Sequence, residues 1–135
     1  MESKKTASCV VHVCTSCRPA GSPRGLFEER PGYKLYKALQ SKVHDSVLKD
    51  VVNVQPAECL SVCPRPCGIA ISSPGLWTYL FGDQELPQSV EEIVECLSHY
   101  LSTSDGFMSR LERPKGMRRS ILGRVPPIGG SNASV

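Results

Sequence analysis

Five of the seven cysteines in this 135-residue chain fall into two groups, and these groups constrain the fold more than any other feature. Cys14 and Cys17 are spaced C-x2-C, and Cys59, Cys63 and Cys67 run C-x3-C-x3-C within ECLSVCPRPCGIAI, residues 58–71. Both groups lie at the ends of short apolar runs beside Pro and Gly, which are poor sites for ordinary core packing. Thiolates that hold a metal must converge, and loops leaving neighbouring strands of one sheet bring distant sequence positions together. Four cysteines are the usual set for either zinc or an iron-sulfur cluster, so spacing alone leaves both open.

The compartment decides how the remaining cysteines are read. No stretch approaches the ~18 consecutive apolar residues of a membrane span, and MESKK leads into a run broken by Ser8 and His12 rather than a signal-peptide core. The expected location is the cytoplasm, where structural disulfides are not maintained, and an odd cysteine count cannot pair completely. Metal or redox chemistry is therefore the leading idea. At 40% hydrophobic and 21% charged residues the chain has the composition of one soluble domain with its own core. Its net charge of +3 is unevenly spread. Residues 1–106 hold 10 Lys/Arg against 12 Asp/Glu, and residues 107–135 hold 6 against 1. Simple solvation of that basic tail is the default reading, and contact with an acidic partner is the functional one.

The β-branched run ASCVVHVC, residues 7–14, predicts a strand that delivers Cys14 at its end, followed by a Pro/Gly-rich loop over 15–25. From Tyr33 to Leu48, Tyr36, Leu39, Val43 and Val47 recur at helical spacing. Short strands are expected at 51–54, 69–71 and 76–81, the last two joined as a hairpin through SSPG. A second helix carries Val90, Ile93, Val94, Leu97 and Leu101 on one stripe, with acidic residues near its start. The expected fold is α/β, a four-stranded mixed sheet covered by two helices. It occupies residues 1–106. A basic extension over 107–127 holds one short helix near Met117 to Leu122, and 128–135 is expected to be a disordered tail.

The motifs VCTSCR, AECLSVCPRPCGIAI, PGLWTYLFGD and RPKGMRRSILGRVPP, together spanning most of residues 12–127, resemble a bacterial family of small metal-binding proteins of undefined role. That family carries the domain of the thioredoxin-like 2Fe-2S ferredoxins. In this fold a strand ends in the first cysteine and a C-x3-C loop precedes the closing hairpin, as VVHVC and ECLSVC do here. The resemblance implies a thioredoxin-like fold and a 2Fe-2S cluster on Cys14, Cys17, Cys59 and Cys63. The better-known ferredoxins separate their first two ligands by four or more residues, whereas two separate Cys14 from Cys17, so Cys67 stands as the alternative ligand. Cys9 would restore a four-residue gap to Cys14. In an extended strand at ~3.3 Å per residue, however, it lies roughly 16 Å from Cys14, too far for a binuclear cluster.

Bland roles suffice elsewhere. Cys96 reads as a small buried hydrophobe, Cys9 likewise though with its strand-start position open to exposure, His12 as a structural histidine, and Trp77, Tyr79 and Phe81 as hairpin aromatics packed on a helix. Three functions compete. The first is one-electron transfer, redox sensing or cluster carriage by an iron-sulfur protein, which needs no substrate pocket. No nucleophile with its base, phosphate loop or dinucleotide fingerprint is recognisable, so a non-catalytic carrier is expected. The second is a zinc-stabilised interaction module. The third, a dithiol oxidoreductase at C-x2-C, is disfavoured because CTSCRPAGSPRG continues as loop instead of opening a helix. An acidic redox protein met through the basic tail is the expected partner. Membrane and nucleic-acid contacts are not expected, and a homodimer is compatible with the sequence.

Overall fold

The computed structural model describes residues 9–16, 26–60 and 67–128. The alternating run at its start forms β1 (Cys9–Cys14), with Cys9, Val11 and Val13 fully buried and Val10 and His12 half-exposed on the opposite face. After a 3-10 turn at Phe27–Glu29 comes α1 (Pro31–His44), whose proline stands where a helix's first N–H has no partner to lose. Gly32, Leu35, Leu39 and Val43 are its buried stripe. The last helical bond runs from the Asp45 N–H to the Ser41 carbonyl at 3.1 Å, and the helix ends where the Ser46 N–H turns to the Val43 carbonyl at 3.0 Å in a tighter i→i−3 bond. Val47, expected on the buried stripe, therefore lies beyond the last turn and is 94% exposed; Leu35 fills the stripe instead.

From α1 the chain returns as β2 (Val52–Ala57), parallel to β1. β3 (Ile69–Ser72) and β4 (Thr78–Phe81) form the expected hairpin, and its turn needs the left-handed Gly75 at φ 74°. Next, α2 (Gln88–Ser102) buries Val90, Ile93, Cys96, Leu97 and Tyr100. Tyr79 packs edge-on to Tyr100 at 6.2 Å and stacks with Phe81 at 6.0 Å, so two hairpin aromatics do face a helix. Trp77 is half-buried and instead meets Phe107 at 5.5 Å, with the Arg124 guanidinium over both rings.

Among the described residues the sheet has five strands, not the expected four, in the order β2-β1-β3-β4-β5. β5 (Ile121–Val125) comes from the basic extension and pairs antiparallel with β4, Phe81 opposite Ile121 and Thr78 opposite Val125. The helix expected near Met117 to Leu122 is α3 (Gly116–Arg119), and Ile121 and Leu122 belong to the strand. Met108 and Met117 are fully buried in the common core. Arg113 is buried as well. Its Nε donates to the Met117 carbonyl at 3.2 Å and its Nη1 to the Met108 carbonyl at 3.4 Å, and burial holds its pKa below the usual arginine value. Of the expected tail, residues 129–135 lie outside the described residues.

One glycine is demanded by close packing. Gly106 adopts φ 86°, and a Cβ there would stand 2.8 Å from both the Leu76 Cβ and the Trp77 backbone nitrogen. Since neither contact is a flexible side-chain end, Gly106→Ala is expected to lower stability by about 2 kcal/mol or more, read from the urea midpoint at an unchanged m-value. An unaltered midpoint would contradict this.

Candidate metal centre

β1 and β2 both end, and β3 begins, at one end of the sheet, and Cys14, Cys59 and Cys67 lie at or just beyond that end. The Cys14 N–H donates to the Gly68 carbonyl at 3.0 Å, and Thr15, next along the chain, donates its N–H to the Ala57 carbonyl at 2.9 Å. Cys14 is thus clamped between the exit of β2 and the entry of β3. Its side chain is buried, and its thiol points to the Glu58 carbonyl at 4.0 Å. Cys59 lies two residues beyond β2 at the same end and is exposed. Cys67 lies two residues before β3 and is buried. The expected ligands Cys17 and Cys63 lie outside the described residues.

Cys67 has a feature that spacing could not reveal. It adopts φ 60°, the left-handed region usually left to glycine, and Asp83 across from it adopts φ 57°. The two turns are tied together, because the Gln84 N–H donates to the Cys67 carbonyl at 3.3 Å. Gln84 is itself buried, and its Nε2 donates to the Gly82 carbonyl at 2.8 Å and to the Ser120 Oγ at 3.1 Å. Burial pushes the Cys67 thiol up to about 11, helped by the neighbouring charges of Cys14, Glu85 and Asp83. A thiolate there needs a compensating cation. A cavity of about 400 Å³, walled in part by Leu35, Cys67, Gln84 and Leu86, opens beside this thiol.

The donor chemistry fits a thiophilic centre. Cys14 and Cys67 share one environment at the end of the sheet, and Cys59 leaves the adjoining strand toward solvent. Among the described residues no group of three or more His, Cys, Asp or Glu side chains stands close enough to hold an ion. His12 is half-exposed on the sheet face away from Cys9, Val11 and Val13.

The two cysteines without an expected role are both core residues. Cys96 is fully buried, with its sulfur 3.9 Å from the Met108 sulfur. Cys9 is also fully buried, so exposure at the start of its strand does not occur. Burial pushes Cys9 to about 11 and Cys96 to about 12, from 9.0. Both thiols ionise more readily once unfolded. The stability they contribute is complete below pH 9 and is lost as the pH rises through the folded values, with a slope of about 1.4 kcal/mol per pH unit for each thiol. Urea midpoints between pH 8 and 10.5 are expected to fall, and to fall less in Cys96→Val; identical pH profiles would contradict the assignment.

Comparison with known proteins places this architecture. A family described as Protein of unknown function (DUF1636) matches residues 11–127. Among curated proteins there is no match. Among solved structures, a thioredoxin-like 2Fe-2S ferredoxin from Aquifex aeolicus is 22% identical, covers 92% of this chain and 98% of its own, and superposes with a TM-score of 0.59. A cysteine-to-serine variant of the Aquifex aeolicus ferredoxin is 21% identical, covering 85% and 98% with a TM-score of 0.55. The wild-type structure at 1.5 Å is 17% identical, covering 87% and 99% with a TM-score of 0.54. The fold is therefore the thioredoxin-like ferredoxin fold.

Proposed function

The chain belongs to the DUF1636 family of proteins of unknown function, and from that premise we propose that it is a non-catalytic iron-sulfur protein carrying one 2Fe-2S centre. The observation that carries this reading is the gathering of Cys14, Cys59 and Cys67 at one end of a ferredoxin-like sheet. Cys14, Cys17, Cys59 and Cys63 would hold the centre, with Cys67 the alternative to Cys17. When bound, such a group supplies one-electron chemistry at a potential set by hydrogen bonds to sulfur and by solvent access. The chain's own part is to hold Cys14 through the Gly68 carbonyl and to bury its side chain while Cys59 faces water. Electron transfer, redox sensing and cluster carriage all use this arrangement. A zinc-stabilised interaction module is the second reading, because four thiolates serve zinc equally well.

Dithiol exchange has less support. Cys14 closes a strand and does not itself open a helix, as the low-pKa cysteine of a thioredoxin-like dithiol does. No helix among the described residues is long and apolar enough to cross a membrane, and we place the protein in the cytoplasm as part of the same proposal. The ligand set is tested by serine replacements read by visible absorption. Cys59→Ser and Cys63→Ser are expected to remove the bands or sharply destabilise the centre, while Cys9→Ser and Cys96→Ser keep them. Bands that survive Cys59→Ser would overturn the assignment. Loss in Cys67→Ser but not in Cys17→Ser would move the fourth ligand to Cys67.

A further inference from the structure

The six cations of residues 107–135 are not equivalent once folded. Arg113 is turned into the core, and Arg124 lies over the rings of Trp77 and Phe107 at 5.5 and 4.9 Å. Arg110, Lys115 and Arg119 are exposed, and Arg118 is half-exposed. Arg110 lies in the 3-10 turn at Arg110–Glu112, Lys115 just before α3 and Arg118 and Arg119 in α3, which the Gly116 N–H anchors to Glu92 of α2 at 3.1 Å. The Arg118 side chain donates to the Arg113 and Leu111 carbonyls at 3.1 and 3.4 Å, and Arg110 donates to the Arg118 carbonyl at 3.5 Å. Such bonds hold the guanidinium groups in place without cancelling their charge. Leu111, 75% exposed, stands among them.

The topology places one end of this surface, at Arg119, at the cysteine end of the sheet. β4 runs toward the cysteine end of the sheet and β5 starts there, so Arg119 and Ser120 lie at that end. The link is direct: the Gly82 N–H donates to the Ser120 carbonyl at 2.8 Å, the Gln84 amide to the Ser120 hydroxyl, and the Gln84 N–H to the Cys67 carbonyl. Two hydrogen bonds and one residue thus join the end of α3 to a candidate ligand.

We propose that Arg110, Lys115, Arg118 and Arg119, around Leu111, form the docking surface for an acidic protein partner, delivered to the edge of the cysteine site. The proposal rests on the iron-sulfur reading for the partner's redox role, but docking itself does not require the centre. Small charge-steered interfaces with an apolar contact at the middle suit partners that must bind and leave quickly. Nucleic acid fits less well, because among the described residues no row of exposed aromatics on this face offers bases a stacking platform.

The full chain is titrated with a poly-L-glutamate of about 20 residues, as the simplest acidic polypeptide, and followed by amide NMR. The largest shifts are expected at Arg110, Leu111, Lys115 and Arg119, with affinity falling about tenfold or more between 20 and 200 mM salt. The double variant Arg110→Glu, Lys115→Glu is expected to weaken binding at least tenfold. Lys37→Glu, Lys49→Glu, which makes the same change in net charge away from this surface, is expected to leave it within twofold. Shifts centred elsewhere, equal losses in the two double variants, or tighter binding of an oligouridylate of the same length to the same residues would each overturn the proposal. A colourless, zinc-loaded or metal-free preparation would sink the iron-sulfur reading and leave this test intact.

Discussion

A chain ending at Asp105 is expected to be largely unfolded at 25 °C, although the removed segment reads in sequence as a charged tail. Truncation deletes β5, uncovers the β4 edge and removes Met108 and Met117, both fully buried. It also strips the Tyr79 hydroxyl of its partner, the Met108 N–H at 2.7 Å. Losing two buried methionines costs about 2–5 kcal/mol each by analogy with large-to-small core substitutions. Together these match the 5–15 kcal/mol total stability of an ordinary domain. Far-UV circular dichroism and a thermal melt read the outcome. A cooperative transition near the full-length melting temperature would show that the segment is dispensable. For the same reason truncation cannot test the docking surface, and charge reversal on exposed side chains is needed.

Cys14→Ser is expected to give the opposite result, a folded protein without a stable centre. The Cys14 backbone is held by the Gly68 carbonyl whichever side chain it carries, and serine is nearly isosteric. The melting curve of the metal-free protein should therefore change little. The thiol is a different matter, because a serine hydroxyl is a harder and far less acidic ligand than a thiol. Visible absorption is expected to fall by at least tenfold as purified, with iron content falling in step. Retention of both would remove Cys14 from the ligand set, and with it the register argument that joins β1 to the loops after β2 and before β3.

What was legible in the sequence follows from the range of each signal. β1 and the β3–β4 hairpin announce themselves because alternation and turn residues are local, and α2 because its stripe persists for four turns. β5 did not, since ILGRV is short, carries Gly123 and Arg124, and becomes a strand only through pairing with β4. Val47 was misplaced for a related reason: helical spacing continues past His44, but the helix ends where the Ser46 amide turns to the Val43 carbonyl. The placement of Cys14 was readable from its strand end. The left-handed backbone of Cys67 and its tie to Gln84 were not, because no propensity predicts a positive φ at cysteine and Gln84 reaches Cys67 only through the fold.

The central claim is that these cysteines hold a 2Fe-2S centre, and its most direct test is anaerobic purification followed by a visible spectrum with iron, acid-labile sulfide and zinc analysis on the same sample. The account predicts a red-brown protein with about two irons and about two sulfides per chain and negligible zinc. A colourless protein holding stoichiometric zinc and no sulfide would contradict it and establish the zinc module in its place.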